Sequence, residues 1–194
     1  MEKKRLRVVF NAPVVLIFAF ICLIVTVLWT SRGSMIGMKY FMTYKSSTSD
    51  PLTYVRAIGH VFGHSGWEHL IGNMSFILLL GPILEEKYES DTLVFVILLT
   101  AVATSVINAL VFPGVAVMGA SGVVFAFILL TSFTEFHDGE IPLTFILIAL
   151  IYIGREVYNG IAVTDNVSQL GHIIGGSVGA LIGYFLNKKP AGQK

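Results

Sequence analysis

Long apolar stretches separated by short polar segments run through most of the chain. Six of them approach the length that a transmembrane helix needs, about 17–25 residues. They are predicted near residues 13–29, 68–84, 92–112, 120–134, 142–158 and 170–187. Charged or turn-forming segments such as "EEKYESD" and "EFHDGEIP" separate them, and a longer connection covers about residues 30–67. The pattern predicts an all-α membrane protein, a bundle of six transmembrane helices in a single domain over residues 1–194.

The composition agrees with a membrane protein. The chain of 194 residues is 55% hydrophobic and 13% charged, whereas soluble domains carry about 25% charged residues. Its formal net charge is +1, and no basic tract is interleaved with aromatic residues, so no nucleic-acid partner is expected. The single cysteine, Cys22, excludes a disulfide within the chain and is interpreted as a small packing or lipid-facing residue.

Basic residues at both ends predict the orientation. They are Lys3, Lys4, Arg5 and Arg7 near the start, and Lys188, Lys189 and Lys194 near the end. The positive-inside rule then places both termini in the cytoplasm of a multi-pass protein of the cell inner (plasma) membrane. The first apolar run is long for a signal peptide and "TSRGSMIG" offers no convincing cleavage site, so a retained first span is predicted.

This orientation makes the second, fourth and sixth spans all begin on the extracytoplasmic side. His69 and Asn73 lie near the start of span two, Ser121 begins span four, and His172 lies near the start of span six. At 1.5 Å per residue these side chains lie about 18–24 Å from the inner ends of their helices, in a hydrocarbon core about 30 Å thick. Similar depths predict one site, sunk below the outer surface and opening to the extracytoplasmic side.

The residue types at this depth permit acyl transfer. Ser121, in "VMGASGVVFAF", could simply cap its helix, but a neighbouring base would make it a nucleophile, and His172 is the candidate base. His69 and Asn73 are four residues apart on one helical face and can donate to an oxyanion, together with the Ser121 backbone N–H. No carboxylate lies in the apolar spans, and Asp165 is interpreted as a surface residue, so a Ser–His dyad is predicted.

Glycines supply a means of bringing the helices together. Span six carries a stripe of small residues at every fourth position, namely Gly171, Gly175, Gly179 and Gly183. Such stripes allow close backbone approach between membrane helices, and span four offers Gly122 and Ala126 at the same spacing. If span four is the partner, Ser121 and His172 come within hydrogen-bond reach, but the stripe alone does not name its partner.

The loop "VFPGVAVMGA" before Ser121 has to dip into the membrane because span four is short. Gly119 and Ala120 are expected to let this loop turn tightly. Irregular backbone at that depth requires protein or a water-filled cavity beside it, and such a cavity would supply the water that hydrolysis needs.

Other kinds of site fit the sequence less well. His60, His64 and His69 could bind zinc, but no acidic or cysteine partner accompanies them and H-E-x-x-H does not occur, so no metal is expected. Asn73 alone could be a residue that hydrogen-bonds between membrane helices, and His137 is interpreted as a solvated residue in a cytoplasmic turn. A transporter or channel is disfavoured because the polar groups cluster at one depth only.

The segments "HSGWEHLIGN", "GASG" and "GHIIGG", on spans two, four and six, closely resemble the rhomboid family of intramembrane serine proteases. The resemblance covers the whole chain. It implies a nucleophile at Ser121, a general base at His172, and oxyanion donors at His69 and Asn73. The remaining motif positions would support the site, and they are His64, Gly119, Gly122, Phe125, Gly171 and Gly175. Phe125 is expected to stack on His172.

The resemblance also implies a substrate class and a setting. A rhomboid protease cuts single-span membrane proteins near their outer end, within the lipid bilayer and without a cofactor, and its first loop lies partly in the outer leaflet. The family often has Trp-Arg in that loop, where this chain has Val55-Arg56. With no soluble N-terminal domain, the chain resembles a minimal bacterial type. The alternative is a non-catalytic rhomboid-like protein that binds or escorts membrane proteins, which is disfavoured because both the serine and the histidine are present.

Overall fold

The computed structural model shows an α-helical protein, and it describes residues 8–32, 35–135, 140, 142–144, 146–151, 154 and 166–187, among which there is no β-strand. The helices, in chain order, are α1 (Pro13–Arg32), α2 (Met35–Tyr40), α3 (Pro51–Gly59), α4 (Trp67–Val111), α5 (Ser121–Ser132) and α6 (Asn166–Asn187). Short 3-10 turns, His60–Phe62 and Phe133–Glu135, follow α3 and α5. The prediction of an all-α chain is confirmed for these residues.

Several helices are suited to a bilayer by length and composition. In the part of the chain that the structure describes, three are long and apolar enough to cross a membrane, and their apolar parts are Pro13–Ser31, Trp67–Val111 and Gln169–Asn187. Helix α5 is equally apolar but has only 12 residues. Residues 145, 152–153 and 155–158 of the fifth predicted span lie outside the described residues, and within the rest of that span 143–144, 146–151 and 154 are helical. The basic residues used to predict orientation, His137 and Asp165 also lie outside the described residues.

Helix α4 is interrupted at Glu89, whose φ of 67° and ψ of 160° are not helical. The sequence predicted a polar separator over "EEKYESD", whereas the structure keeps helix on both sides of this single residue. A straight helix would hold residues 69 and 104 about 52 Å apart, yet both line the same cavity. The segments 67–88 and 90–111 therefore fold back on each other, and each is about 33 Å long, close to the thickness of a hydrocarbon core.

Helix α5 lies at the centre of the described bundle. Its side chains are apolar on all sides, and those from Val123 to Leu130 are almost all buried, which is the pattern of a helix surrounded by others. Helices α6 and α4 pack most extensively against it. Helix α1 packs on α4 and on the 3-10 turn after α3 through a single stripe that includes Val15, Phe18 and the packed Cys22, while its other faces are exposed apolar surface.

The small-residue stripe of α6 packs on α5. Gly175 lies against the backbone of Gly122, and Gly179 lies against the backbone of Ala126 one turn later. Since both helices advance by four residues together, α5 and α6 run parallel. The sequence left open which helix packs on the glycine stripe, and the structure shows that it is span four, the helix that begins with Ser121.

Three helices begin at the same end of the bundle. At the opposite end, Lys87 donates to the carbonyl of Thr134, and Asn187 Nδ2 donates to the Tyr88 hydroxyl at 2.9 Å. The first segment of α4, α5 and α6 therefore finish together, and their starting ends carry His69, Ser121 and His172. The sequence predicted this shared end.

A buried carboxylate fastens α1 to the break in α4. Glu85 accepts hydrogen bonds from the backbone N–H groups of Val14 at 3.0 Å and Val15 at 3.1 Å, and from Ser90 Oγ at 2.7 Å. The two amides belong to the first turn of α1, where unpaired N–H groups and the helix dipole favour an anion. The Glu85 side chain thus accepts hydrogen bonds both from the start of α1 and from the turn that interrupts α4.

Replacing Glu85 with alanine is expected to lower the free energy of unfolding by about 2–4 kcal/mol, because it leaves buried donors without an acceptor. Thermal or denaturant unfolding of the purified protein in detergent measures this loss. The neighbouring Glu86 is exposed, so Glu86→Ala is the matched control and should change stability by less than about 0.5 kcal/mol. Equal losses for the two variants would contradict a fastening role for Glu85.

Candidate active site

Ser121 is the first residue of α5. The N-cap of this helix is Ala120, and no side-chain hydrogen bond caps it. The alternative explanation from the sequence, that the serine caps the helix, is therefore wrong. Ser121 is half-buried and lines a cavity of about 310 Å³ at the starting end of the bundle. Its hydroxyl is placed at the junction of an irregular loop and the central helix.

The loop before Ser121 is held by backbone hydrogen bonds to the first loop and to the 3-10 turn after α3. Thr43, in the first loop, exchanges two backbone hydrogen bonds with Val117, at 2.9 and 2.8 Å. Two residues before the serine, the Gly119 N–H donates to the His60 carbonyl at 2.9 Å. These bonds satisfy the irregular backbone and fix the point at which the chain enters α5.

Gly119 brings the predicted oxyanion donors beside this loop. Its φ of +126° is strained for a residue with a side chain, and a Cβ there would lie 2.7 Å from Cε1 and Nε2 of His69. The Asn73 Nδ2 atom would lie 3.8 Å from the same point. This nitrogen is buried and has no hydrogen-bond partner among the described residues. Two side-chain donors thus face the backbone just ahead of Ser121.

His172 lies against α5. Its ring stacks on Phe125 with the centroids 4.2 Å apart and the planes 4° from parallel, which confirms the predicted stacking. Phe125 is one helical turn, about 6 Å, beyond Ser121 on the same face of α5. His172 also interacts electrostatically with His69. The imidazole of α6 therefore lies on the serine face of α5, at the end of the bundle that carries His69.

Of the other two histidines considered as zinc ligands, His60 lines the cavity and His64 packs against His69. Burial lowers the pKa of His60 to about 4, so its ring is neutral at pH 7. Burial, aided by the nearby His69, also lowers the pKa of His64 to about 4. The His64 ring packs edge-on against His69 with the centroids 5.0 Å apart. The described residues contain no cluster of three or more side chains that could hold a metal ion.

Two threonines of α4 belong to the cavity and were not singled out from the sequence. Thr100 and Thr104 line it from the second segment of α4, and their buried hydroxyls have no hydrogen-bond partner among the described residues. Threonine in an apolar helix usually bonds to its own backbone, so neither residue looked exceptional. Their four-residue spacing, which places both on one face, was the available signal.

The first loop is anchored by Arg56, although the preceding residue is Val55. The guanidinium is buried and donates to Asp50 Oδ2 at 2.8 Å and Ser46 Oγ at 3.2 Å. It also lies 4.7 Å from the centroid of the Tyr44 ring. The bond to Arg56, with one from the Leu52 amide, holds the pKa of the Asp50 carboxyl below its usual value. The arginine therefore ties the loop together without an adjacent tryptophan.

Fold and site together define a class, an α-helical membrane protein with a polar cavity at one end of its central helix. The family profile of the Rhomboid domain matches residues 51–189. The chain belongs to the rhomboid family.

Curated relatives agree with this assignment. Rhomboid-related protein 2 of Mus musculus is 30% identical over 155 residues, and the match covers 69% of this chain and 51% of the relative. Rhomboid-like protein 11, chloroplastic, of Arabidopsis thaliana is 27% identical over 145 residues, and the match covers 67% of this chain and 51% of the relative. Rhomboid-related protein 1 of Caenorhabditis elegans is 29% identical over 140 residues, and the match covers 66% of this chain and 39% of the relative. The matched region spans about half of these relatives or less.

Proposed function

We propose that this protein is an intramembrane serine endopeptidase that hydrolyses a peptide bond in or near the transmembrane segment of a membrane protein. The observation that carries the proposal is the stacking of His172 on Phe125, one turn from Ser121 on the same face of α5. The position of His69 and Asn73 beside Gly119 adds an oxyanion site. Family membership supports the same activity, because the rhomboid family generally includes serine proteases.

The residues can perform acyl transfer in two halves. His172 takes the proton from Ser121 Oγ while the oxygen attacks the scissile carbonyl, and the resulting oxyanion is stabilised by His69 Nε2–H, Asn73 Nδ2–H and the Ser121 backbone N–H. His172 then gives its proton to the leaving amine, which departs and leaves an acyl-serine. A water molecule, deprotonated by His172, attacks the ester carbonyl. The bond between that carbon and Ser121 Oγ then breaks, His172 returns the proton to Oγ, and the second product leaves as a carboxylic acid.

The proposed setting is a six-span protein in the cell inner (plasma) membrane, with both termini in the cytoplasm and the cavity open to the extracytoplasmic side. Helix α5 rises only about 18 Å over its 12 residues, so Ser121 would lie below the surface of a core about 30 Å thick. Single-span membrane proteins are the proposed substrates. A substrate helix has to unwind locally, because a helical carbonyl is sterically covered and already hydrogen-bonded. Neither a cofactor nor a metal takes part.

Labelling with a fluorophosphonate tests for an activated serine. The protein in detergent is expected to react once, at Ser121, and Ser121→Ala should abolish the label. Ser132 is the matched control, since it lies on the same helix and its hydroxyl donates to the Ile128 carbonyl of that helix, at 3.0 Å. Ser132→Ala should label like the native protein. A native protein that takes no label would favour a non-catalytic rhomboid-like protein that binds other membrane proteins.

A further inference from the structure

Ser65 lies just before α4 and contacts His69 with both its backbone and its side chain. The Ser65 N–H donates to His69 Nδ1 at 3.5 Å, and the Ser65 Oγ lies 3.1 Å from the same nitrogen. A backbone N–H can only donate, so Nδ1 acts as the acceptor, and the hydroxyl adds a second donor to it. No part of the mechanism above assigns a role to Ser65.

These contacts decide which nitrogen of His69 carries the proton. A neutral imidazole has one N–H, and when Nδ1 accepts, the proton lies on Nε2. Nε2 is the atom that faces the loop before the nucleophile, since a Cβ on Gly119 would lie 2.7 Å from it. The opposite tautomer would present a lone pair to a developing oxyanion and would repel it.

The start of α4 explains why the imidazole is held this way. The N-cap is Gly66, with no side-chain cap bond, and His69 is the third residue of the helix. In a capping box a Glu or Gln at this position reaches back to accept the backbone N–H of the N-cap residue. His69 reaches back in a similar way but accepts the N–H of Ser65, one residue before the N-cap, so the helix start and the ring orientation are fixed together.

We propose that Ser65 is a positioning residue that holds His69 as the Nε2–H tautomer and thereby makes it an oxyanion donor. The oxyanion-donor role of His69 in this inference rests on the proposed function. Its structural content, the tautomer of one histidine, can be measured without any cleavage assay.

The first test is nitrogen NMR of protein labelled with ¹⁵N at the histidine rings, with the His69 signals assigned by their loss in His69→Ala. Native protein near pH 7.5 is expected to show His69 with Nε2 protonated and Nδ1 unprotonated. Ser65→Ala removes one of the two donors and should introduce a population protonated on Nδ1. A native His69 protonated on Nδ1, or a tautomer unchanged in Ser65→Ala, would overturn the proposal whether or not the protein is a protease.

The second test is kinetic and uses the same variants. Losing one neutral hydrogen bond should lower kcat of Ser65→Ala by about three- to tenfold, with KM unchanged, because the oxyanion exists only after attack. Ser65→Thr keeps the hydroxyl and should restore both the tautomer and kcat. Ser75→Ala is the matched control on α4, since the exposed Ser75 hydroxyl donates to the Ile71 carbonyl of its own helix, at 2.7 Å. A fall in kcat for Ser65→Ala that Ser65→Thr does not rescue would overturn the proposal.

Discussion

Replacing Ser121 or His172 with alanine is expected to abolish cleavage of a transmembrane substrate by the purified protein. The serine oxygen forms the acyl bond, and without the imidazole its proton has no acceptor, so each single loss should lower kcat on the order of 10⁴-fold or more. Initial rates of product formation in proteoliposomes, followed by gel or mass spectrometry, measure this change. Unfolding curves of each variant establish that the protein is still folded.

The double variant gives the sharper result. Two groups that act as one unit are not additive, so Ser121→Ala/His172→Ala should be no slower than either single variant. Ser132→Ala on α5 and Ser177→Ala on α6 are matched controls, because each hydroxyl donates to a carbonyl of its own helix. Both controls should retain native rates. Residual cleavage that the second substitution reduces further would mean that the two residues act separately.

Helical periodicity is the reason why much of the candidate site was predictable. Four-residue spacing places His69 with Asn73, and Ser121 with Phe125, on single faces of their helices. The requirement that apolar segments alternate in direction then brought the starts of three helices to one end. The stacking of Phe125 on His172 followed from the same spacing together with the family resemblance, and the structure confirms it.

Contacts between distant parts of the chain were not predictable from local pattern. Glu85 bonds to the start of α1 some 70 residues earlier, and Thr43 of the first loop pairs with Val117 of the loop before α5. Nothing in the neighbourhood of either residue indicates its partner. The sequence likewise predicts a broad separator where α4 breaks at Glu89, because a charged segment looks the same whether the chain turns at one residue or over seven.

The sequence also does not identify the helix on which the α6 stripe packs. Because that helix is α5, a substitution in the stripe should have a large effect on cleavage. Gly175→Ala is expected to displace α5 from α6, since the new Cβ would lie 2.9 Å from Gly122 Cα and 2.6 Å from its carbonyl carbon. Both are backbone atoms that cannot rotate away, and overpacking of this kind costs about 1–3 kcal/mol. The same displacement shifts His172 relative to Ser121, and a misplacement of about 1 Å can cost on the order of 10²-fold in rate.

The adjacent glycine provides the control. A Cβ on Gly176 would meet Leu129 Cγ at 3.8 Å, an ordinary van der Waals contact. Gly176→Ala should therefore keep the native rate, and it should raise stability by up to about 1 kcal/mol because alanine is the better helix former. Both variants remove one glycine from the same turn of α6, so they differ only in the face they fill. If they lost stability and cleavage equally, the effect would come from glycine content, and close contact between α5 and α6 would not be what holds the serine and the histidine together.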